Sequence, residues 1–159
     1  MTYRIIQGDA TCPLAAAPVI IPHIVNSVGA WGSGFVVALS KRWSKPEQQY
    51  REWFLKKISR RGSAFELGEV GFVQAESNIY VANMIAQSGI GTHPRPPIRY
   101  AALASCMIKV LHAAQQLKAE VHCPRFGAGL AGGNWEVIEQ LIHEVWVDND
   151  LDVVVYEYP

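Results

Sequence analysis

Residues 19–25, VIIPHIV, form an almost unbroken apolar run that leads straight into a glycine-rich turn, GAWGSG at 29–34. A segment with Phe35, Leu39 and Trp43 at four-residue spacing follows. A run that is apolar at nearly every position belongs to a strand buried on both faces, and such strands occur in parallel sheets covered by helices. The same succession recurs later. A strand-like segment at 121–124 meets the loop RFGAGLAGGN at 125–134, and an apolar stripe of Trp135, Ile138, Leu141, Ile142 and Val145 follows at helical spacing.

The rest of the chain alternates in the same way. Residues 3–7 read as a short strand ended by Gly8-Asp9. Pro46 suits the first turn of a helix carrying Tyr50, Trp53, Phe54 and Lys57. Residues 65–74 and 79–85 read as strands, and HPRPP at 93–97 as a loop. A long helix then runs to about Leu117, with Leu103, Met107, Val110, Leu111, Ala114 and Leu117 on one face. A helix over 134–147 and a strand over 153–156 complete the pattern. It predicts a three-layer α/β/α domain with a mixed, largely parallel central sheet, in one domain over residues 1–159.

Composition narrows the function classes. Half of the 159 residues are hydrophobic, 18% are charged and the formal net charge is zero. No overall field draws the chain to nucleic acid or anionic lipid, so neither is expected as a partner. Eight of the fourteen basic residues do cluster in 41–61, a pattern read as a solvated helix face. The three cysteines show no C-x-x-C spacing and suit small buried thiols in a reducing compartment. The early apolar run is broken by Pro18, Pro22 and His23 and falls short of the roughly 20 residues a membrane span needs. No basic segment precedes it, so it is not read as a signal peptide, and a cytoplasmic location is expected. The histidines show no metal spacing, and neither a metal nor a cofactor is expected.

Glycines let backbone N–H groups turn toward a ligand, and a following helix adds the positive end of its dipole. Two such loops after parallel strands suit a pyrophosphate gripped from both sides. Gly127, Gly129 and Gly132 also spell G-x-G-x-x-G. The nicotinamide-binding version of that motif opens the first strand–helix–strand unit, with an acidic residue about 20 positions on at a strand end. Here only one strand follows, and Asp148, Asp150 and Asp152 precede it. The dinucleotide reading is rejected.

Taken together, Gly8-Asp9, Val25-Asn26, the turn 29–34, Ala86-Gln87, Pro124-Arg125-Phe126-Gly127 and Asn134-Trp135 resemble the macro domain family along nearly the whole chain. The likeness is greatest to the branch holding the macro domain of a poly(ADP-ribose)-activated chromatin remodeller and the terminal ADP-ribose glycohydrolases. The resemblance implies ADP-ribose or an ADP-ribosylated protein as partner. Asp9, with Ala10 beside it, would read the adenine amine. Backbone groups of Gly32, Ser33, Gly34 and Phe35, and those of Gly127, Ala128, Gly129 and Leu130, would hold the diphosphate and distal ribose. Asn26 would bond the ribose hydroxyls, Gln87 would lie near it, Trp31 and Phe126 would pack on the ligand, and Pro124 and Arg125 would border it.

The glycohydrolases of this branch employ a lysine after the central strand and an aspartate in the second glycine loop. This chain has Gln87-Ser88 and Ala131 there. Neither residue type supplies a nucleophile or a general base. The resemblance therefore implies an ADP-ribose reader, with hydrolysis confined to labile linkages and helped by Asn26, Ser27 and His93. The alternative is an active hydrolase that removes ADP-ribose from proteins or dephosphorylates ADP-ribose 1''-phosphate.

Overall fold

The computed structural model describes residues 2–58, 62–91 and 95–158. Six strands form one sheet: β1 Tyr3–Gln7, β2 Val19–Asn26, β3 Val70–Glu76, β4 Ile79–Gln87, β5 Glu120–Pro124 and β6 Val153–Glu157. Their order across the sheet is β1-β6-β5-β2-β4-β3. Neighbours run parallel except β3 and β4, which pair antiparallel through a tight turn. The helices are α1 Phe35–Arg42, α2 Lys45–Lys56, α3 Tyr100–Leu117 and α4 Trp135–Leu141.

Side chains alternate across a strand, so the apolar run of β2 feeds two cores. Val19, Ile21 and Val25 pack with Val36 and Leu39 of α1 and Tyr50 and Trp53 of α2. Ile20 and Ile24 face the other way, toward Leu103, Met107 and Val110 of α3 and Ile138 of α4. β4 divides likewise, Val81 and Ile85 against Ala82 and Met84. The expected three-layer α/β/α arrangement with a mixed sheet is the observed one. Over β5, β6 and β1 on the side of α1 and α2 the cover comes from Phe35 of α1 and from the irregular segment 8–18, with Ala10 packed against Val154 and Tyr156.

Two element boundaries differ from expectation. The strand expected over 65–74 begins only at Val70. A turn precedes it, with Glu69 N–H bonded to the Glu66 carbonyl and Gly68 at φ 94°. The helix expected over 134–147 is α-helical only to Leu141 and continues as a π turn, Ile142–Trp146, and a 3₁₀ turn, Val147–Asn149. The apolar stripe is as read, but periodicity does not register the inserted residue of a π turn. Of the three cysteines, Cys106 and Cys123 are buried thiols and Cys12 is exposed. No described helix is long and apolar enough to cross a membrane. In the basic segment, Arg51 and Lys56 pair with Glu47 and Glu52 one helical turn away, as on a solvated face.

Candidate functional site

The chain leaves β2 for α1 on one face of the sheet and leaves β5 for α4 on the other. Because β2 and β5 are neighbours, a crevice opens at their carboxyl ends, where open α/β sheets bind ligands. Three segments meet there: 27–34 after β2, 125–134 after β5, and the described residues 88–91 and 95–99 after β4. The last docks on both others. Gly89 N–H donates to Ser27 Oγ at 3.0 Å, and Ile98 N–H to the Ala131 carbonyl at 3.1 Å.

Asn26 shapes the first loop. Its Oδ1 accepts from the N–H groups of Val28 and Ala30 and from the Tyr50 hydroxyl, and its Nδ2 donates to the Ala30 carbonyl at 2.8 Å. Three donors occupy Oδ1, and through them the side chain organises the loop. Ser27 joins two loops through Gly89, and Gln87 Nε2 donates to the Gly89 carbonyl. His93 lies outside the described residues.

Six of the seven glycines of the two loops separate into two groups, and Gly34, at φ 82° with Leu130 3.5 Å from where a Cβ would stand, belongs to neither. Gly127 sits at φ 82°, and a Cβ there would lie 2.8 Å from Ile138 and 3.0 Å from Ile98. At Gly29, Gly132 and Gly133 a Cβ would meet Phe54, Pro96 and the Gly127 carbonyl at 2.5–2.9 Å. Packing alone excludes side chains at these positions. Gly32 and Gly129 differ, because neither has a left-handed backbone and no atom lies within 4 Å of where a Cβ would stand. Gly32, Ser33 and Gly34 are exposed, as are Gly129 and Leu130, while Ala128 is partly buried.

The helices after the two loops are not equivalent. At the start of α4, Asn134 Oδ1 accepts from Glu136 N–H and an acidic side chain stands in the first turn. At the start of α1, Gly34 offers no side-chain cap and the first turn has no acidic residue. The expected dipole contribution therefore falls to α1, whose first N–H groups lack a side-chain partner.

Beyond the first turn of α1 the crevice widens into a cleft of about 430 Å³ lined by Gly8, Asp9, Ala10, Phe35, Ala38, Pro124, Arg125, Tyr156, Glu157 and Tyr158. Thr11 sends its N–H and its hydroxyl to the same Asp9 oxygen, Oδ1, at 2.8 and 2.7 Å. Oδ2 has no protein partner among the described residues. Arg125 is exposed, its guanidinium 4.9 Å from the centre of the Trp135 ring. Trp31 and Phe126 are 8% and 4% exposed. Trp31 donates its indole N–H to Ser40 and packs edge-on against His23, while Phe126 packs on Trp146. Both aromatics pack into the core.

Sequence reasoning missed Tyr156, Glu157 and Tyr158, although a signal was present. They end a buried parallel strand, and that end of the sheet is the ligand edge. Beneath the crevice lies His23, fully buried, with Nε2 2.6 Å from Asn83 Oδ1 and Nδ1 without a partner. Burial pulls its pKa down to about 4, against a smaller opposing effect of the Asn83 bond.

No family model matches the chain. The chain is 40% identical to a macrodomain protein from Streptomyces coelicolor, whose solved structure superposes with a TM-score of 0.87 over 99% of this chain and 100% of that one. The chain belongs to the macrodomain family. Among curated proteins it is 31% identical over 164 residues to the chromodomain-helicase-DNA-binding protein 1-like of Danio rerio, covering 98% of this chain but only 15% of that protein. It is 24% identical to an ADP-ribose 1''-phosphate phosphatase of Lodderomyces elongisporus, covering 98% of each.

Proposed function

We propose that the chain, acting as a single domain, binds ADP-ribose, free or carried on a modified protein, along the carboxyl edge of its sheet. Adenosine takes the cleft beside Asp9 and Tyr158, and the diphosphate lies against the uncapped start of α1 and between the two glycine loops. The distal ribose reaches the loop after β4. From β1 to β4 the sheet spans four inter-strand spacings, about 19 Å, enough for an extended dinucleotide-sized ligand. The observation that carries the reading is the pair Gly32 and Gly129. Fold and packing leave room for a side chain at both, so what they keep clear is space for something outside the chain. The relative named ADP-ribose 1''-phosphate phosphatase, similar along its whole length, supports the ligand class.

A reader is favoured over a fast hydrolase by the chemistry of the loops. Loops 27–34 and 125–134 contain one ionisable side chain, the exposed Arg125, and residues 88–99 add His93, Arg95 and Arg99, so none of the three loops carries a lysine or a carboxylate. Hydrolysis at the distal ribose would then rest on water polarised by loop amides, worth about 10²–10³ in rate per donor, and would be slow and limited to esters or the 1''-phosphate. Calorimetric titration with ADP-ribose tests the binding, and the variant Gly129→Glu, which adds bulk and negative charge beside the anion, tests its placement. Unchanged affinity in the variant refutes the placement. ADP-ribose 1''-phosphate supplied as substrate tests turnover, and a lysine adduct trapped by borohydride would refute the water-based route.

A further inference from the structure

We infer that Glu120, His122 and Tyr156 form a positioning relay for adenine recognition, holding segment 9–14 on the sheet and so fixing where Asp9 presents its second oxygen. The inference rests on the ADP-ribose reading of the cleft.

The segment that carries Asp9 has neither helix nor strand between β1 and β2. Residues 9–12 are one closed turn, because Thr11 bonds to the Asp9 side chain and Cys12 N–H donates to the Asp9 carbonyl at 2.9 Å. What seats this turn is Tyr156. Its ring packs on Ala10, and its hydroxyl accepts the Leu14 N–H at 3.0 Å. The Leu14 side chain is 75% exposed, so backbone bonding rather than burial holds that residue down.

Behind the phenol stands His122, wholly buried and absent from the cleft lining. Its Nδ1 is 2.7 Å from the Tyr156 hydroxyl and its Nε2 2.9 Å from Glu120 Oε1. A carboxylate only accepts, so Nε2 carries a proton, and in the neutral imidazole Nδ1 is then the acceptor. In that form the phenol donates inward to Nδ1, which leaves an oxygen lone pair for Leu14 N–H. With the opposite tautomer, two donors would face the phenol oxygen and its own proton would have no inward acceptor. Glu120 thus sets the polarity of a chain of bonds that ends at the edge of the adenine cleft. None of the three residues needs to touch the base to act this way.

The test removes one oxygen. Tyr156→Phe and the wild type are titrated with ADP-ribose and with inosine diphosphate ribose, and amide exchange is followed at Leu14. In Tyr156→Phe the ADP-ribose Kd should rise roughly five- to tenfold, the scale of one hydrogen bond. The inosine ligand, which gains nothing from Asp9, should lose distinctly less, and the Leu14 amide should exchange faster. Glu120→Gln keeps an acceptor for Nε2–H and should retain wild-type selectivity, whereas Glu120→Leu should lose it. Equal weakening of both ligands, full selectivity in Tyr156→Phe, or unchanged exchange at Leu14 each overturns the relay. A wild-type chain that binds neither ligand overturns the ADP-ribose reading itself.

Discussion

Gly127 and Gly129 stand two residues apart in one loop, yet alanine at each should do opposite things. At Gly127 an added methyl meets Ile138, Ile98 and Ile24 at 2.8, 3.0 and 3.1 Å, on a backbone at φ 82°. The left-handed conformation costs about 1–2 kcal/mol for a residue with a Cβ, and overpacking about 1–3 more. The sum, about 2–5 kcal/mol, is a large part of the roughly 5–15 kcal/mol that a domain has to lose. For a chain of this size it corresponds to a melting point lower by about 4–20 °C. At Gly129 the methyl meets nothing within 4 Å and the backbone is ordinary. Stability should change by no more than about 0.5 kcal/mol. The methyl does, however, enter the space assigned to the diphosphate, and ADP-ribose affinity should fall about tenfold or more, a loss of at least about 1.4 kcal/mol. Thermal denaturation and calorimetric titration of the two variants measure both quantities. A stable Gly129→Ala with wild-type affinity would show that the open space is not where the ligand lies. A Gly127→Ala as stable as the wild type would refute the packing account of the loop.

Three further outcomes are expected. Asp9→Ala should weaken ADP-ribose by about 1.5–3 kcal/mol, the range for a hydrogen bond to a charged group, and should abolish discrimination against the inosine analogue; equal binding of both by the wild type would refute the assignment. Asn26→Ala removes four hydrogen bonds, leaving Val28 and Ala30 N–H unpaired, and should cost about 2–4 kcal/mol, since each unmet buried group is worth about 1–3; undiminished stability in denaturant would contradict its role as loop organiser. His23 titrates at about 4 in the folded chain against 6.5 when unfolded, so the unfolded chain takes up its proton first as pH falls. Stability from this group is whole above pH 6.5 and is lost on descent toward pH 4, by on the order of 3 kcal/mol. Urea midpoints measured over that range should fall for the wild type and stay flatter for His23→Gln; equal slopes would count against it.

The parts of this molecule legible in the sequence are those that a period or a local composition encodes. The run at 19–25 announced a strand buried on both faces because β2 does feed two cores. The glycine loops announced themselves because glycine is costly to keep without a use. Composition did not reveal which glycines serve packing and which keep space clear, because Gly127 and Gly129 read identically until Ile24, Ile98 and Ile138 converge on one of them. The burial of Trp31 and Phe126 was hidden for a related reason. An aromatic beside a glycine turn can cap the core or face outward, and the packing here is set by Ser40 and Trp146, which lie 9 and 20 residues away along the chain.

The same distance rule hides the relay beneath Asp9. Tyr156 and His122 are 34 residues apart and Leu14 is 142 from Tyr156. No local pattern links them, and a buried histidine beside a cysteine reads as structural filler. The link is made by register. Val19 pairs with Glu120 and Pro124 with Tyr156, which puts Glu120, His122 and Tyr156 on one face of neighbouring strands. On that face α1 contributes Phe35 at the edge of the cluster of Ala10, Val154 and Tyr156. A sheet face so thinly covered by helix needs another cover, and here it is the segment that carries the proposed adenine-reading carboxylate. Anything that fixes the cover also fixes the carboxylate. Specificity at the mouth of the cleft is therefore expected to depend on Glu120 and His122, neither of which lines it.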